Sequence, residues 1–138
     1  MKDRNFTIAV QQILQEDPRY APDAYAFVNE AVLYTAVKLK RDPATENRHV
    51  SGRELVEGVR DYAIDQFGPF AAQILRGWGV TDSLAIGNIV FNMVNRKLLG
   101  ASDKDSIDDF KFEFDFDREF SAPFAARPTS KVKVPIIA

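Results

Sequence analysis

The only histidine in the chain, His49, is the residue with the broadest chemical range. An imidazole can act as a general base or as a metal ligand near neutral pH. The sequence contains no second histidine and no cysteine that could complete a zinc or iron-sulfur site. Because His49 also stands just before the capping sequence that begins at Ser51, we interpret it as a local hydrogen-bonding or surface residue.

A run of carboxylates further along the chain is typical of the start of many calcium loops. Its members are Asp103, Asp105, Asp108 and Asp109. Counted from Asp103, the turn position that needs glycine is Asp108 and the position of the bidentate carboxylate is Phe114, so the spacing excludes an EF-hand. Acidic residues at a helix start explain the run, and we predict no metal site.

Other catalytic patterns are missing from the sequence. Ser51 is used as a helix cap, and no serine stands in the glycine-flanked elbow of a hydrolase. Gly77 and Gly79 lack the following lysine and the spacing of a phosphate loop. The sequence gives no support for an enzyme, and we predict no catalytic residue and no cofactor.

The aromatic content points to binding rather than catalysis. Eleven phenylalanines, four tyrosines and Trp78 are many for a chain of 138 residues. If a strand near the C-terminus has an open edge, Phe112 or Phe116 could lie in a homodimer seam or accept a strand from a partner. Phe112, Phe116 and Trp78 are the predicted interaction residues, and the competing interpretation is that the phenylalanines cover the helical core.

Nucleic-acid binding is the alternative function. Short helices followed by a ribbon are the order of a winged helix-turn-helix, in which helix 81–99 would enter the major groove. One polar face of that helix carries residues that can read base edges: Asn88, Asn92, Asn95 and Arg96. The net charge of −2 and the acidic ribbon strand do not favour contact with phosphates.

The distribution of apolar residues excludes two further classes of protein. No stretch approaches the roughly 20 apolar residues that a membrane helix needs. The first residues carry Lys2, Asp3 and Arg4 and spaced apolar residues, without the apolar core of a signal peptide. We therefore expect a soluble cytoplasmic protein without a membrane partner.

Five helices are predicted to form the body of the fold. The first ends at Asp17-Pro18, and the second runs from Pro22 to about Arg41. The third begins at a capping box, in which Ser51 and Glu54 exchange hydrogen bonds, and ends at Gly68. The fourth follows Pro69 and ends at glycines 77 and 79, and the fifth is the helix 81–99.

After the fifth helix the apolar residues change period. Phenylalanines at 110, 112, 114 and 116 alternate with charged residues, which predicts a strand. Residues 131–134 also alternate and are predicted to pair with it. The predicted fold is thus α+β, mainly α, with a five-helix body and a C-terminal two-stranded antiparallel ribbon in a single domain, 1–138.

Several blocks of the sequence resemble an uncharacterised family of small bacterial proteins seen mainly in planctomycetes and verrucomicrobia. The blocks that carry the resemblance cover most of the chain and are 49–55, 60–63, 66–68, 78–80, 87–91, 105–106, 108–110 and 114–116. The family has no assigned activity, so the resemblance implies no catalytic residue. The function that the sequence favours is binding or assembly, through a protein partner or self-association.

Overall fold

A computed structural model describes residues 2–41 and 49–124 of the chain. Within these residues the α-helices are α1 (Lys2–Glu16), α2 (Pro22–Lys38), α3 (Gly52–Phe67), α4 (Ala71–Gly77), α5 (Ser83–Asn95) and α6 (Phe116–Ser121). Short 3-10 turns cover Gly68–Phe70, Ile107–Phe110 and Ala122–Phe124. The first five helices lie where the sequence predicts helices, and α6 lies where it predicts none.

Side chains cap the starts of α3 and α5. The amide of Glu54 donates to Ser51 Oγ at 3.1 Å, and the amide of Ser51 donates to Glu54 Oε1 at 3.0 Å, so the predicted capping box is confirmed. Asp82 caps α5 by accepting from the amide of Ala85 at 2.7 Å. The helix ends at Asn95, before the predicted residue 99, and Lys97 has a φ of +60°. Such a φ does not continue a right-handed helix.

The predicted two-stranded ribbon is wrong. Residues 110–116 form no strand: Phe110 ends a 3-10 turn, residues 111–115 are irregular, and Phe116 begins α6. The caps explain the difference, because Ser106 and Asp109 form a capping box before the turn and Asp115 accepts from the amide of Arg118 at 3.2 Å. The predicted partner strand, 131–134, lies outside the described residues. Among the residues described, the fold is mainly helical and contains no β-strand.

The core is a single apolar cluster to which α1 to α6 all contribute. Helices α2 and α3 run antiparallel and approach closely at Gly58, where a Cβ atom would fall on the Thr35 side chain. Helix α5 is buried along Ile86, Ile89 and Met93. Helices α2, α3 and α5 therefore form the centre of the fold, and the other elements pack around them.

Irregular chain covers one side of α5. A Cβ atom on Gly87 would lie 2.6 Å from Cγ of Phe110, so the glycine lets this ring pack on the helix backbone. Ser83 Oγ donates to the carbonyl oxygen of Phe110 at 2.7 Å and lies 3.3 Å from that of Phe112. These contacts hold residues 107–112 against α5 without any strand pairing.

Candidate functional site

The predicted interaction residue Trp78 lies in an aromatic cluster at the end of α4. Its ring centroid is 5.4 Å from that of Phe27 and 5.8 Å from that of Phe67. Tyr62 extends the cluster, with its ring 4.9 Å from Phe27. Trp78 is half-buried in this packing, so it joins α2, α3 and α4 rather than standing as a free aromatic anchor.

The other two predicted interaction residues are also held by intramolecular contacts. Phe116 is buried, its ring lies 4.7 Å from that of Phe120, and the Arg76 guanidinium lies over it at 5.1 Å. Phe112 is half-buried, with the Arg53 guanidinium 4.2 Å above its ring. The structure therefore places Phe112, Phe116 and Trp78 at separate positions and does not bring them together in one exposed patch.

The side chains proposed to read base edges in the alternative function bind within the fold. Asn88 Nδ2 donates to Tyr20 Oη at 2.9 Å, and Asn92 Nδ2 lies 3.0 Å from both Tyr25 Oη and Asp17 Oδ2. The Arg96 guanidinium forms a salt bridge with Glu16 and a hydrogen bond with Gln12, at 2.9 and 3.3 Å. Asn95 is exposed.

The polar face of α5 thus joins the helix to α1 and α2. The amides of Asn88 and Asn92 and the guanidinium of Arg96 bond to partners within the fold, so these three side chains are not arranged as a free reading surface. Binding of nucleic acid stays a prediction and gains no support from this geometry.

His49 and Asp105 form a hydrogen bond across a surface pocket. Their Nε2 and Oδ1 atoms are 2.8 Å apart, and the other Asp105 oxygen accepts from the Ser102 amide at 2.8 Å. Burial raises the pKa of Asp105, but the bonds from Ser102 and His49 outweigh it and leave the pKa below its ordinary value. The pocket has a volume of about 520 Å³ and is also lined by Arg53 and Lys104. His49 therefore links the residues before α3 to the loop after α5 by a hydrogen bond, and its role stays a prediction.

Two other carboxylates of the acidic run, Asp108 and Asp109, bond to nearby donors. Asp109 Oδ2 accepts from the Ser106 amide at 3.0 Å, and Asp108 forms a salt bridge with Lys111 at 2.9 Å. Among residues 2–41 and 49–124, no group of three or more His, Asp or Glu side chains is placed to hold a metal ion. Asp105 and Asp109 thus accept from amides three residues before them, and Asp108 pairs with Lys111.

The sequence reasoning missed an apolar groove between α2 and α3. Leu33 and Val37, one helical turn apart, are 57% and 65% exposed. Tyr34 and Tyr62 form the rest of its apolar wall, with ring centroids 4.9 Å apart. The groove has a volume of about 540 Å³. We call the surface formed by Leu33, Tyr34, Val37 and Tyr62 the α2 face.

One charged residue stands at each end of the α2 face. Glu30 Oε2 accepts from Tyr62 Oη at 2.9 Å, and this bond is the main reason that the pKa of Tyr62 is raised. At the other end Lys38 Nζ lies 2.6 Å from Asp61 Oδ2, which raises the pKa of Lys38. Burial raises the pKa of Asp61, but bonds from Lys38 and Arg60 hold it below the ordinary value. These bonds fix the two ends of the face.

A signal for this face was present in the sequence. Helix α2 buries apolar residues that include Val28, Ala31 and Ala36 against the core. Leu33 and Val37 are also apolar and lie outside this buried set, so α2 is apolar almost all round. A helix of that kind is usually buried on every side. In α2, however, Leu33 and Val37 are exposed.

Comparison with known proteins adds no function, since no protein-family model, curated protein or solved structure matches the chain. The resemblance to the bacterial family stays a prediction. In the part of the chain that the structure describes, no helix is long and apolar enough to cross a membrane.

Proposed function

We propose that the chain is a small assembly domain that forms a homodimer through the α2 face. The observation that carries the proposal is the exposure of Leu33 and Val37 beside Tyr34 and Tyr62 in one continuous groove. Apolar surface of this kind on a folded domain is the usual mark of a contact with another protein. Tyrosine is also among the residues enriched in such contacts.

A second copy of the chain fits this surface better than a strongly charged partner. The face has an acidic end at Glu30 and a basic end at Lys38, with apolar residues between them. A surface that carries both charges at opposite ends can be complementary to itself. Symmetric dimers use the same patch on both subunits, so self-complementarity is what they require.

The interface would be small. Helix α2 has 17 residues and is about 25 Å long. One face of such a helix, with Tyr62 beside it, provides less than the roughly 800 Å² per partner of a standard interface. We therefore expect a reversible dimer with a dissociation constant in the micromolar range, on the order of 1–100 µM.

The experiment is molar mass by light scattering or sedimentation over a concentration series of the purified chain, in low and in high salt. Val37→Glu should remove the dimer, because it places a charge in the centre of the apolar contact. Phe70→Glu is the matched control: Phe70 is 63% exposed but lies in the turn after α3, outside the α2 face.

The proposal predicts a dimer for the wild type and for Phe70→Glu, and a monomer for Val37→Glu. The wild-type dimer should survive high salt because its contact is mainly apolar. A wild type that stays monomeric at millimolar concentration overturns the proposal. Equal dimerisation of the wild type and Val37→Glu would place the contact elsewhere and also overturns it.

A further inference from the structure

The direction in which two α2 helices can pair follows from the spacing of side chains along the α2 face. Residues 30, 34 and 38 are four apart and share one side of the helix, and Leu33 and Val37 form the neighbouring row. The rise of a helix places positions 30 and 38 about 12 Å apart along the axis. Tyr34 lies midway between the two charged residues.

The charges around the groove are divided between its ends. At the acidic end, Asp65 on α3 adds its field to that of Glu30 at the Tyr62 hydroxyl, and both carboxylates raise the pKa of that group. At the basic end, Lys38 occupies the last turn of α2 and Lys40 follows it, exposed, with a φ of +58°. Asp61 neutralises part of the charge of Lys38. The charge along the groove nevertheless changes from negative near Glu30 to positive near Lys38 and Lys40.

We infer that two copies pair with their α2 helices antiparallel about a two-fold axis at Tyr34, so that Glu30 of each meets Lys38 of the partner subunit. This inference rests on the proposed dimer and adds its register. A two-fold axis that brings residue 30 opposite residue 38 also brings residue 38 opposite residue 30, so one pairing rule gives two ion pairs. Parallel helices would instead place Glu30 against Glu30 and Lys38 against Lys38.

The internal bonds of Glu30 and Lys38 are compatible with this pairing. The Tyr62 hydroxyl is bonded to Glu30 Oε2, and a carboxylate can accept several hydrogen bonds. Lys38 donates to Asp61, and an ammonium group has three donors. Both side chains are exposed, so each can bond across the interface and keep its own partner. Antiparallel helices also place each positive helix end near a negative one.

The apolar row completes the contact. With Tyr34 at the axis, Leu33 and Val37 of one copy lie against the Tyr34 ring and the corresponding row of the other copy. The tyrosine rings are already positioned by their contact with each other and, at Tyr62, by the bond to Glu30. Little side-chain freedom would therefore be lost when the two faces meet.

Cysteine cross-linking tests the register directly, because the wild-type chain contains no cysteine. Tyr34→Cys should form a disulfide-linked dimer on mild oxidation, since both copies of the position lie at the axis. A mixture of Glu30→Cys and Lys38→Cys should give mainly the mixed dimer, whereas each variant alone should cross-link little. Gln73→Cys, exposed on α4, is the control for random collision.

Charge reversal gives a second readout in solution. Glu30→Lys and Lys38→Glu should each weaken dimerisation by about tenfold, because each creates two like-charge contacts. The double variant Glu30→Lys/Lys38→Glu should recover most of the affinity, because its charges are again opposite in the antiparallel register. Thermal unfolding of each variant at low concentration checks that the monomer is folded.

The outcomes separate the register from the dimer itself. A wild-type dimer in which Glu30→Cys and Lys38→Cys each cross-link alone has parallel helices, and the inference fails while the proposed function stands. A dimer in which none of these cysteines cross-links above the Gln73→Cys level also overturns the inference. A wild type that remains monomeric in light scattering overturns the proposed function and the inference with it.

Discussion

At the scale of single residues, the Asp17 carboxylate joins the linker between α1 and α2 to α5. Arg19 forms a salt bridge with it at 2.7 Å, and Asn92 on α5 donates to the same oxygen at 3.0 Å. The Arg19 bond, helped by Asn92, outweighs burial and holds the pKa of Asp17 far below its usual range. The charged carboxylate is therefore favoured in the folded protein.

This pKa gives the stability of the fold a predictable dependence on pH. An unfolded aspartate titrates near pH 4, so the stabilisation from Asp17 is complete above that pH and is lost as the pH falls below it. Asp17→Asn should lower the free energy of unfolding by about 1–2 kcal/mol at pH 7. The difference from wild type should shrink at pH 3, as measured by urea unfolding at both pH values.

The control for this experiment is Asp103→Asn, which changes an exposed carboxylate in the loop after α5. It should leave the free energy of unfolding nearly unchanged at both pH values. A deficit of Asp17→Asn that is equally large at pH 3 and pH 7 would show that the charge of Asp17 does not contribute.

Also at this scale, the sequence predicted some residue roles well and missed others. The Ser51–Glu54 capping box was readable because its chemistry is local and lies within four residues. Asn88 and Asn92 looked like a reading surface because their partners, Tyr20, Tyr25 and Asp17, are more than 60 residues away in the chain. Periodicity places side chains on a face but does not identify what lies opposite that face.

At the scale of elements, the close approach of α2 and α3 depends on Gly58. A Cβ atom at this position would overlap the Thr35 side chain, whose hydroxyl donates to the Ala31 carbonyl at 2.7 Å. Gly58→Ala should therefore destabilise the fold by about 1–3 kcal/mol, although alanine is the better helix former. Chemical unfolding of the two proteins measures the difference.

Two companion variants make this prediction specific. Gly77→Ala, where the added Cβ meets nothing within 4 Å, should leave stability unchanged or raise it by up to about 1 kcal/mol. Gly58→Ala/Thr35→Ala should recover part of the loss, because it removes the hydroxyl nearest to the new methyl group. If Gly58→Ala changes the free energy of unfolding no more than Gly77→Ala does, α2 and α3 can move apart without loss of stability. That result would contradict the prediction.

The wrong ribbon shows where element prediction from the sequence ends. Helices α1 to α5 were predictable because proline, glycine and caps mark their limits. The alternating phenylalanines at 110–116 are typical of a strand, but Phe110 packs on α5, whereas Phe116 is buried within α6 beside Phe120. The caps at Ser106 and Asp115 are the local signal against a strand.

At the scale of the whole molecule, the proposed dimer couples assembly to stability. A protein that dimerises only when folded gains stability with concentration, since mass action favours the folded dimer. The midpoint of thermal unfolding of the wild type should rise by about 2–5 °C for each tenfold increase in concentration. The midpoint of Val37→Glu should be the same at every concentration. A wild-type midpoint that does not change with concentration would contradict the proposal.

The contribution of residues 107–120 to the core also has a consequence for synthesis on the ribosome. Phe110, Phe116 and Phe120 are buried, but they leave the exit tunnel after α1 to α5. At an elongation rate of about 5–20 residues per second, residues 107–120 are synthesised roughly one to several seconds after α5. During that interval the nascent chain exposes the apolar surface that the rings will cover. The yield of folded protein should therefore depend on elongation rate and on chaperones that bind apolar surface.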